Sequence, residues 1–99
     1  MKKIPLPEMK SNAANAEKLL SLLANRHRLL VLCHLIEKER TVTQLLDDIA
    51  ISQSALSQHL AKLREAKLVA TEREGQSIRY RIASQEARKL IETLCDLYA

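Results

Sequence analysis

The stretch Ser52–Arg64, SQSALSQHLAKLR, decides the fold. Its apolar positions Leu56, Leu60 and Leu63 fall within about 60° of one another on a helix that turns by about 100° per residue. A helix with such an apolar stripe buries it against the rest of the domain, so we expect these three leucines in the core. Ser52 is of the residue type that caps helix N-termini. The stretch therefore predicts a helix with one buried and one exposed face.

The exposed face of this helix carries short, hydrogen-bonding side chains. Opposite the leucine stripe lie Ser54, Gln58 and Ala61, flanked by Ser57 and Lys62. Serine and glutamine are weaker helix formers than lysine and glutamate, which a merely solvated face would favour. Glutamine can hydrogen bond to adenine, and serine can hydrogen bond to a base or a phosphate. Two interpretations stay open here: a solvated helix face, and a face that reads DNA bases.

The residues on both sides of this helix predict a winged helix-turn-helix, mainly α with a β-hairpin wing. Upstream, Thr43 caps a short helix, Gln44–Ala50, and the turn Ile51-Ser52 joins the two helices. Downstream, the alternating run Ile78–Ile82 is typical of a half-buried strand. The single glycine of the chain lies in the turn before that strand, which predicts a hairpin.

Three further helices complete the predicted order of four helices, a hairpin and a fifth helix. We expect them over Asn12–Leu23, over Asn25–Lys38 and from Ser84 to the C-terminus. The centre of the second, LLVLC, is apolar on every side, which predicts a helix buried all round. Residues 1–11 are expected to form a flexible N-terminal tail, and residues 12–99 a single winged-helix domain.

The size and composition of the chain favour a homodimer. The chain has 99 residues, two tyrosines and no phenylalanine or tryptophan, so its core is small. Small domains often gain stability by pairing subunits. The first and last helices carry apolar stripes, so we expect them to form the interface. The predicted interface residues are Leu19, Leu20, Leu23, Leu90, Ile91, Leu94 and Tyr98.

Positive charge is concentrated in the helix-turn-helix and hairpin. The chain carries a net charge of +4, and the stretch Ser52–Ala83 holds six cations against three anions, whereas residues 12–51 are balanced. Arg79 and Arg81 alternate along one side of the hairpin, and Arg73 lies near its tip. Such arginines either reach DNA phosphates or only protect an exposed sheet edge. As a set they favour a polyanionic partner.

Several classes of protein are not expected. Pro5, Pro7 and Glu8 interrupt any apolar run of signal-peptide length, and no run approaches the roughly 18 apolar residues of a membrane span. We therefore expect a cytoplasmic protein with no membrane partner. One glycine cannot build a glycine-rich phosphate loop, and no nucleophile, base and carboxylate form a motif, so no enzyme and no cofactor are expected.

The strings ISQSALSQHLAKLREAKLV and EGQSIRYRI, with LLSLLANRHRLLVLCHL upstream, resemble the ArsR-type family of small winged-helix repressors, in particular its BigR/HlyU-like branch. The resemblance implies a homodimer that binds a near-palindromic operator in double-stranded DNA. It also places Gln53 and His59 on the recognition helix. The candidate DNA-contacting residues are then Ser52, Gln53, Ser54, Ser57, Gln58, His59, Lys62, Arg73, Arg79 and Arg81.

No metal site is expected from this resemblance. Metal-sensing relatives hold a cysteine pair in the helix that here reads TQLLDDIA, and other relatives use histidines of the last helix, which has none. The three histidines of the chain do not stand at a metal-ligand spacing from the cysteines. They are His27, His34 and His59.

The two cysteines raise the possibility of a redox-sensing switch. In the branch that the chain resembles, a cysteine of the second helix and one near the end of the last helix cross-link in response to sulfane sulfur or oxidants, which weakens DNA binding. Cys33 matches the first position. The second would fall at Ala99, whereas Cys95 lies one turn earlier, a shift of about 5.4 Å that forbids a plain disulfide unless the helices pack differently. A longer polysulfide bridge would tolerate the shift.

Other interpretations stay open. Cys33 could be a small buried hydrophobe, inert because apolar surroundings raise the pKa of a thiol. The protein would then be a regulator without an inducer, or a counter-silencer of the HlyU type that acts by competing for DNA. A helical protein-interaction module without DNA binding is a third interpretation, but it leaves the basic wing and the serine and glutamine face unexplained.

Overall fold

The computed structural model describes residues 3–99, and within them the expected winged helix-turn-helix is confirmed. Residues 1–2 of the expected tail lie outside the described part. The elements are α1 (Leu6–Leu23), α2 (Arg26–Glu37), β1 (Arg40–Thr41), α3 (Val42–Asp48), α4 (Gln53–Glu65), β2 (Val69–Glu74), β3 (Ser77–Ile82) and α5 (Gln85–Tyr98).

The first helix is longer than predicted. It begins at Leu6 and not at Asn12, so most of the expected flexible tail, residues 1–11, is helical. Ser11 Oγ and Asn12 Nδ2 each donate to the Glu8 carbonyl at 3.0 Å, so both residues lie inside the helix. A proline stands in the first helical positions, where its missing N–H group costs nothing. The predicted boundary at Asn12 is therefore corrected to Leu6.

Three of the other helices begin with a side-chain cap at the residue where the sequence predicts the helix to start. The Asn25 side chain accepts hydrogen bonds from the backbone N–H groups of the first turn of α2, at 3.0 and 3.1 Å. Ser52 caps α4 and Ser84 caps α5, each through a hydroxyl that accepts a backbone N–H at 3.1 Å. These bonds satisfy N–H groups that have no partner inside the helix, and so fix where the helices start.

The cap of α3 is Thr41 and not Thr43. Thr41 and Gln44 form a capping box, in which Thr41 Oγ1 accepts the Gln44 N–H at 3.3 Å and Gln44 Oε1 accepts the Thr41 N–H at 2.9 Å. Threonine with glutamine three residues later is the pattern of this motif. The helix therefore begins at Val42, before the predicted Gln44, and it ends at Asp48, before the predicted Ala50.

A third strand, β1, was not predicted. It pairs antiparallel with β3, so that the sheet has the order β1-β3-β2. Arg40 lies opposite Tyr80, and the hairpin β2–β3 turns at Gly75, whose φ of 63° favours glycine. The sheet thus ties the base of the hairpin to the segment between α2 and α3.

The core is made of aliphatic side chains from all five helices and the base of the hairpin. Leu56, Leu60 and Leu63 are buried, as the stripe on α4 predicts. The prediction that α2 is buried all round is wrong, because Leu30 is 41% exposed. The exposed side of α2 adjoins a surface that also involves α1 and α5, described below.

A sharp bend separates the first two helices, whose directions differ by 93°. Within residues 3–99, no single helix is long and apolar enough to span a membrane. Only α1 and α2 counted together across the bend reach that length and composition.

Candidate nucleic-acid interface

The exposed face of α4 presents the side chains that the sequence predicts. Six of the seven candidates around α4 are exposed to solvent: Ser52, Gln53, Ser54, Ser57, Gln58 and Lys62. The Ser52 and Ser54 hydroxyls lie 3.4 Å apart at the start of the helix. This end of α4 is free of charged side chains, and its only cations lie in the last turn. An uncharged, hydrogen-bonding helix start suits the edges of bases in a major groove.

The inner face of α4 is held by the short helix before it. Leu45 and Ile49 at α3 are buried in the same cluster as Leu56 and Leu60 of α4. Because these side chains interdigitate on the inner side, the rotation of α4 about its axis is fixed. The orientation of its outer side chains follows from this packing.

His59 is placed differently from the other α4 candidates. It is half-buried, and its ring centre lies 6.0 Å from that of His27 at the start of α2. Burial, and then the positive charges of Arg28, His27 and Lys62, lower the pKa of His59. The lowered pKa favours the neutral form of His59, which lies against α2 at the edge of the exposed polar face of α4 and not at its centre.

The two faces of the wing carry different side chains. Residues that pair across an antiparallel sheet share a face. Val69 pairs with Ile82 and both line the core side, and the same face continues outward through Thr71 and Tyr80 to the pair Arg73 and Ile78. Arg73 therefore lies on the face of the hairpin that continues the core surface.

Arg79 and Arg81 lie on the opposite face, and Arg79 is surrounded by carboxylates. Its Nε donates to Glu74 Oε2 at 3.0 Å, a contact that lowers the pKa of Glu74 and raises that of Arg79. Glu39 and Glu72 add to this effect on Arg79. Arg81 is exposed and lies opposite the uncharged Ala70. Arg79 and Arg81 alternate along the same strand, but they lie in different electrostatic surroundings.

A cleft of about 450 Å³ separates α4 from the wing. It is lined by Ser57, Ala61, Arg64, Glu65 and Tyr80. Arg64 and Tyr80 were not among the predicted contacts, although Arg64 stands seven residues after Ser57, on the same side of the helix. A guanidinium and a phenol hydroxyl are both donors that bind DNA phosphates.

The predicted dimer residues divide into buried and exposed ones. Leu23 and Ile91 are 6% and 0% exposed, so they already belong to the core of the single chain. Leu20 and Tyr98 are 57% and 86% exposed. The remaining predicted residues are half-buried: Leu19, Leu90 and Leu94.

More apolar surface lies beside them. Other large exposed hydrophobic residues of α1, α2, α5 and the segment before α1 are Ile4, Leu6, Met9, Leu30 and Leu97. A broad groove runs along α1 from Met9 to Ala24 and reaches Leu68 and Ser84. The exposed apolar residues of the chain are therefore concentrated on its terminal helices and the adjoining side of α2.

The two cysteines are neighbours within one chain. Cys33 is half-buried on α2 and Cys95 is exposed on α5, and both are free thiols. Burial raises the pKa of Cys33, and the adjacent Cys95 raises it further through its charge and its thiol. The packing of α2 on α5 thus brings together two positions whose spacing in the sequence argued against a simple link.

Within residues 3–99, no three His, Cys, Asp or Glu side chains lie together as metal ligands. His27 contacts His59, and His34 Nδ1 lies 4.0 Å from Asp48 Oδ2. His27 and His59 thus lie in one place between α2 and α4, and His34 lies in another, beside α3.

Known proteins resemble this chain along most of its length. Residues 25–71 match the family described as "Bacterial regulatory protein, arsR family". The transcriptional activator HlyU of Vibrio cholerae is 46% identical over 93 residues, which cover 94% of this chain and 86% of that protein. The biofilm growth-associated repressor of Agrobacterium fabrum is 42% identical over 95 residues, covering 96% and 81%. The crystal structure of the transcriptional repressor BigR from Xylella fastidiosa has a TM-score of 0.91 at 33% identity, covering 97% of this chain and 98% of that one.

Proposed function

The chain belongs to the arsR family of bacterial regulatory proteins and is a DNA-binding transcriptional regulator, and from this premise we propose that it is a homodimeric repressor whose DNA binding is weakened when its two thiols are oxidised or persulfidated. The observation that carries the DNA-binding mode is the α4 face, polar outside and fixed inside by Leu56, Leu60 and Leu63. A regulator of bacterial genes works on the chromosome, so we place it in the cytoplasm.

In the proposed complex, α4 enters the major groove and the wing follows the DNA backbone. Ser57 and Gln58 are near the start of the helix, where a recognition helix contacts base edges. Arg64 and Tyr80 line the cleft between α4 and the wing and bind a phosphate there. Arg73 and Arg81 contact the backbone beyond it, whereas Arg79 must first exchange its ion pair with Glu74 for a phosphate.

The proposed dimer covers the exposed apolar residues of the terminal helices. Leu20, Leu97 and Tyr98 would each expose a large side chain in a monomer. Contiguous apolar surface on a small protein is typical of subunit interfaces. A two-fold axis through this surface brings two copies of α4 to one side, about 34–36 Å apart, so that they enter successive major grooves of a near-palindromic operator.

The proposed switch begins at the more accessible thiol. The Cys95 thiolate attacks a sulfane sulfur of a polysulfide and becomes a persulfide, and the polysulfide leaves one sulfur shorter. The Cys33 thiolate then attacks the Cys95 sulfur and expels sulfide, which carries away the two electrons that the thiols lose. The resulting bridge ties α2 to α5. Because α5 belongs to the dimer surface, the bridge changes the distance between the two α4 helices.

Selection of bound duplexes from a random pool, with reductant and with polysulfide, tests both parts of the proposal. We expect a near-palindromic site to be enriched under reductant and lost under polysulfide, with intact mass showing the bridge. Cys33→Ser and Cys95→Ser should retain the site in both conditions. If the bound duplexes shared no common sequence, α4 would not read bases. Release of both variants by polysulfide would contradict the switch and leave a regulator without this inducer.

Whether binding represses or activates depends on what the bound site competes with. The relative from Vibrio cholerae is named an activator and the one from Agrobacterium fabrum a repressor. We propose repression because a dimer on an operator blocks access to the DNA beneath it. A reporter gene behind the selected site should fall in expression when the protein is present. A rise, dependent on a second silencing protein, would favour the counter-silencer.

A further inference from the structure

A buried arginine lies where the wing joins the helix-turn-helix. Among residues 3–99, Arg40 is the single buried polar or charged residue, with 8% of its surface exposed. It belongs to β1, which pairs with β3 through only two residues on each strand. A pairing this short contributes little by itself. Val69 and Ile82 pack the base of the wing against the core, and β1 adds a second attachment, whose position depends on what holds β1.

All three guanidinium nitrogens of Arg40 have a partner. Nη2 donates to Glu37 Oε1 at 2.6 Å, Nη1 donates to Asp48 Oδ2 at 3.1 Å, and Nε lies 3.4 Å from the His34 carbonyl oxygen. All three bonds have a charged donor, and two of them also have a carboxylate acceptor, which makes them the stronger ones. Three partners in different directions define one orientation of the planar guanidinium.

These partners belong to α2 and α3, the two helices that precede α4 in the chain. His34 and Glu37 are in the last turns of α2, and Asp48 ends α3, directly before the turn into α4. Opposite Arg40 in the sheet lies Tyr80, whose side chain lines the cleft next to Ser57. One side chain thus connects the end of α2, the end of α3 and the central strand of the wing.

We propose that Arg40 is a positioning residue that sets the wing at a fixed distance from α4, so that both contact the same DNA duplex. This inference rests on the proposed DNA binding. An apolar side chain would fill a buried site at least as favourably, because burying a charge costs solvation energy. An apolar side chain would not, however, join the carboxylates of two separate helices to the strand. We therefore expect the ion pairs to contribute little to the free energy of unfolding. Their role is to fix one position of the wing.

The test uses Arg40→Met, which keeps an unbranched apolar stem, and Asp48→Asn, which removes one partner charge without changing its shape. Lys38→Met is the matched control, since it removes the same charge from an exposed residue two positions away. Binding is measured on the selected duplex and on a scrambled one, in the parent background and in a background that lacks Arg73 and Arg81.

We expect Arg40→Met to weaken binding to both duplexes by about tenfold and Asp48→Asn by about threefold, while the preference for the selected duplex is unchanged. In the background without Arg73 and Arg81, both effects should be clearly smaller than in the parent, because two of the contacts that Arg40 positions are already gone. Lys38→Met should change binding by less than about twofold in either background. Equal losses in the two backgrounds would overturn the proposal, since Arg40 would then act on the whole domain.

Amide hydrogen exchange of the free protein provides a readout that needs no DNA. Arg40→Met and Asp48→Asn should speed exchange in residues 77–82 while α4 stays protected as in the parent. Faster exchange throughout the chain would show general destabilisation and overturn the proposal. If the parent bound no duplex, the proposed function would fail, whereas selective exchange in the wing would still show that Arg40 holds it. Unchanged exchange in residues 77–82 would overturn the inference in either case.

Discussion

The outer face of α4 and the wing both present polar side chains, but they differ in charge and in what fixes them. The start of α4 is uncharged, and its orientation follows from leucines buried within the same helix. The wing carries three arginines and several carboxylates, and its central strand pairs with β1, where Arg40 joins it to α2 and α3. This difference supports the proposal that α4 reads bases and the wing binds the DNA backbone.

The largest expected effect comes from removing the support of α4. Leu60→Ala deletes a side chain that is 1% exposed and leaves a cavity beneath the exposed polar face of α4. We expect the free energy of unfolding to fall by about 2–5 kcal/mol, measured by urea titration. Ala61→Ser, on the exposed side of the same turn, is the control and should cost well under half as much. Equal losses would show that α4 is not held by its leucine stripe.

A smaller effect is expected for a substitution on the exposed polar face of α4. Gln58→Ala should lower affinity for the selected duplex by about 1–3 kcal/mol and leave affinity for a scrambled duplex nearly unchanged, because the variant gives up only a hydrogen bond to a base. The measurement is fluorescence anisotropy with both duplexes at one salt concentration. Thr93→Ala, an exposed polar residue of α5, is the control. A loss that is the same on both duplexes would mean that Gln58 contacts the backbone.

The wing arginines should differ from one another. Arg73→Ala and Arg81→Ala should each weaken binding to all duplexes and flatten the slope of log K against log salt by about 0.9 for each phosphate that the protein no longer neutralises. Arg79→Ala should have a smaller effect, because Glu74 already engages that guanidinium. Glu74→Gln should strengthen binding by freeing Arg79. If Arg79→Ala had the largest effect of the three, the ion pair would not limit this arginine.

The smallest effect concerns pH. The pKa of His59 is lowered in the folded protein, so the unfolded chain binds a proton at a pH where the folded one does not. Stability from this group is therefore complete above pH 6.5, the ordinary pKa of histidine, and is lost progressively as the pH falls below it. Urea titrations of the parent and His59→Gln between pH 7.5 and about 5 should show a smaller decline in the variant. Parallel declines would contradict the assignment.

Local patterns in the sequence predicted α4 and most of its surroundings. The leucine spacing, the caps Asn25, Ser52 and Ser84, and the glycine turn each depend on residues close together in the chain. The cap of α3 was misplaced because both Thr41 and Thr43 suit a cap, and the start of α1 was misplaced because that helix begins after Pro5 without a side-chain cap to mark it. Thr41 outcompeted Thr43 since Gln44 completes its capping box.

What the sequence could not predict depends on distant residues. The strand β1 exists because Arg40 and Thr41 meet β3 across the fold. The face of the hairpin on which each arginine lies follows from its register with β2, which the alternation alone does not give. The proximity of Cys33 and Cys95 follows in the same way from how α2 packs on α5.

The central claim is that α4 supplies sequence preference and the wing supplies sequence-independent affinity. The most direct test compares the double variants Ser57→Ala/Gln58→Ala and Arg73→Ala/Arg81→Ala on the selected and scrambled duplexes across a range of salt concentrations. We expect the α4 variant to lose its preference for the selected duplex and to keep its salt slope. We expect the wing variant to keep the preference and to have a flatter slope. The reverse outcome, or the same outcome for both variants, would contradict it.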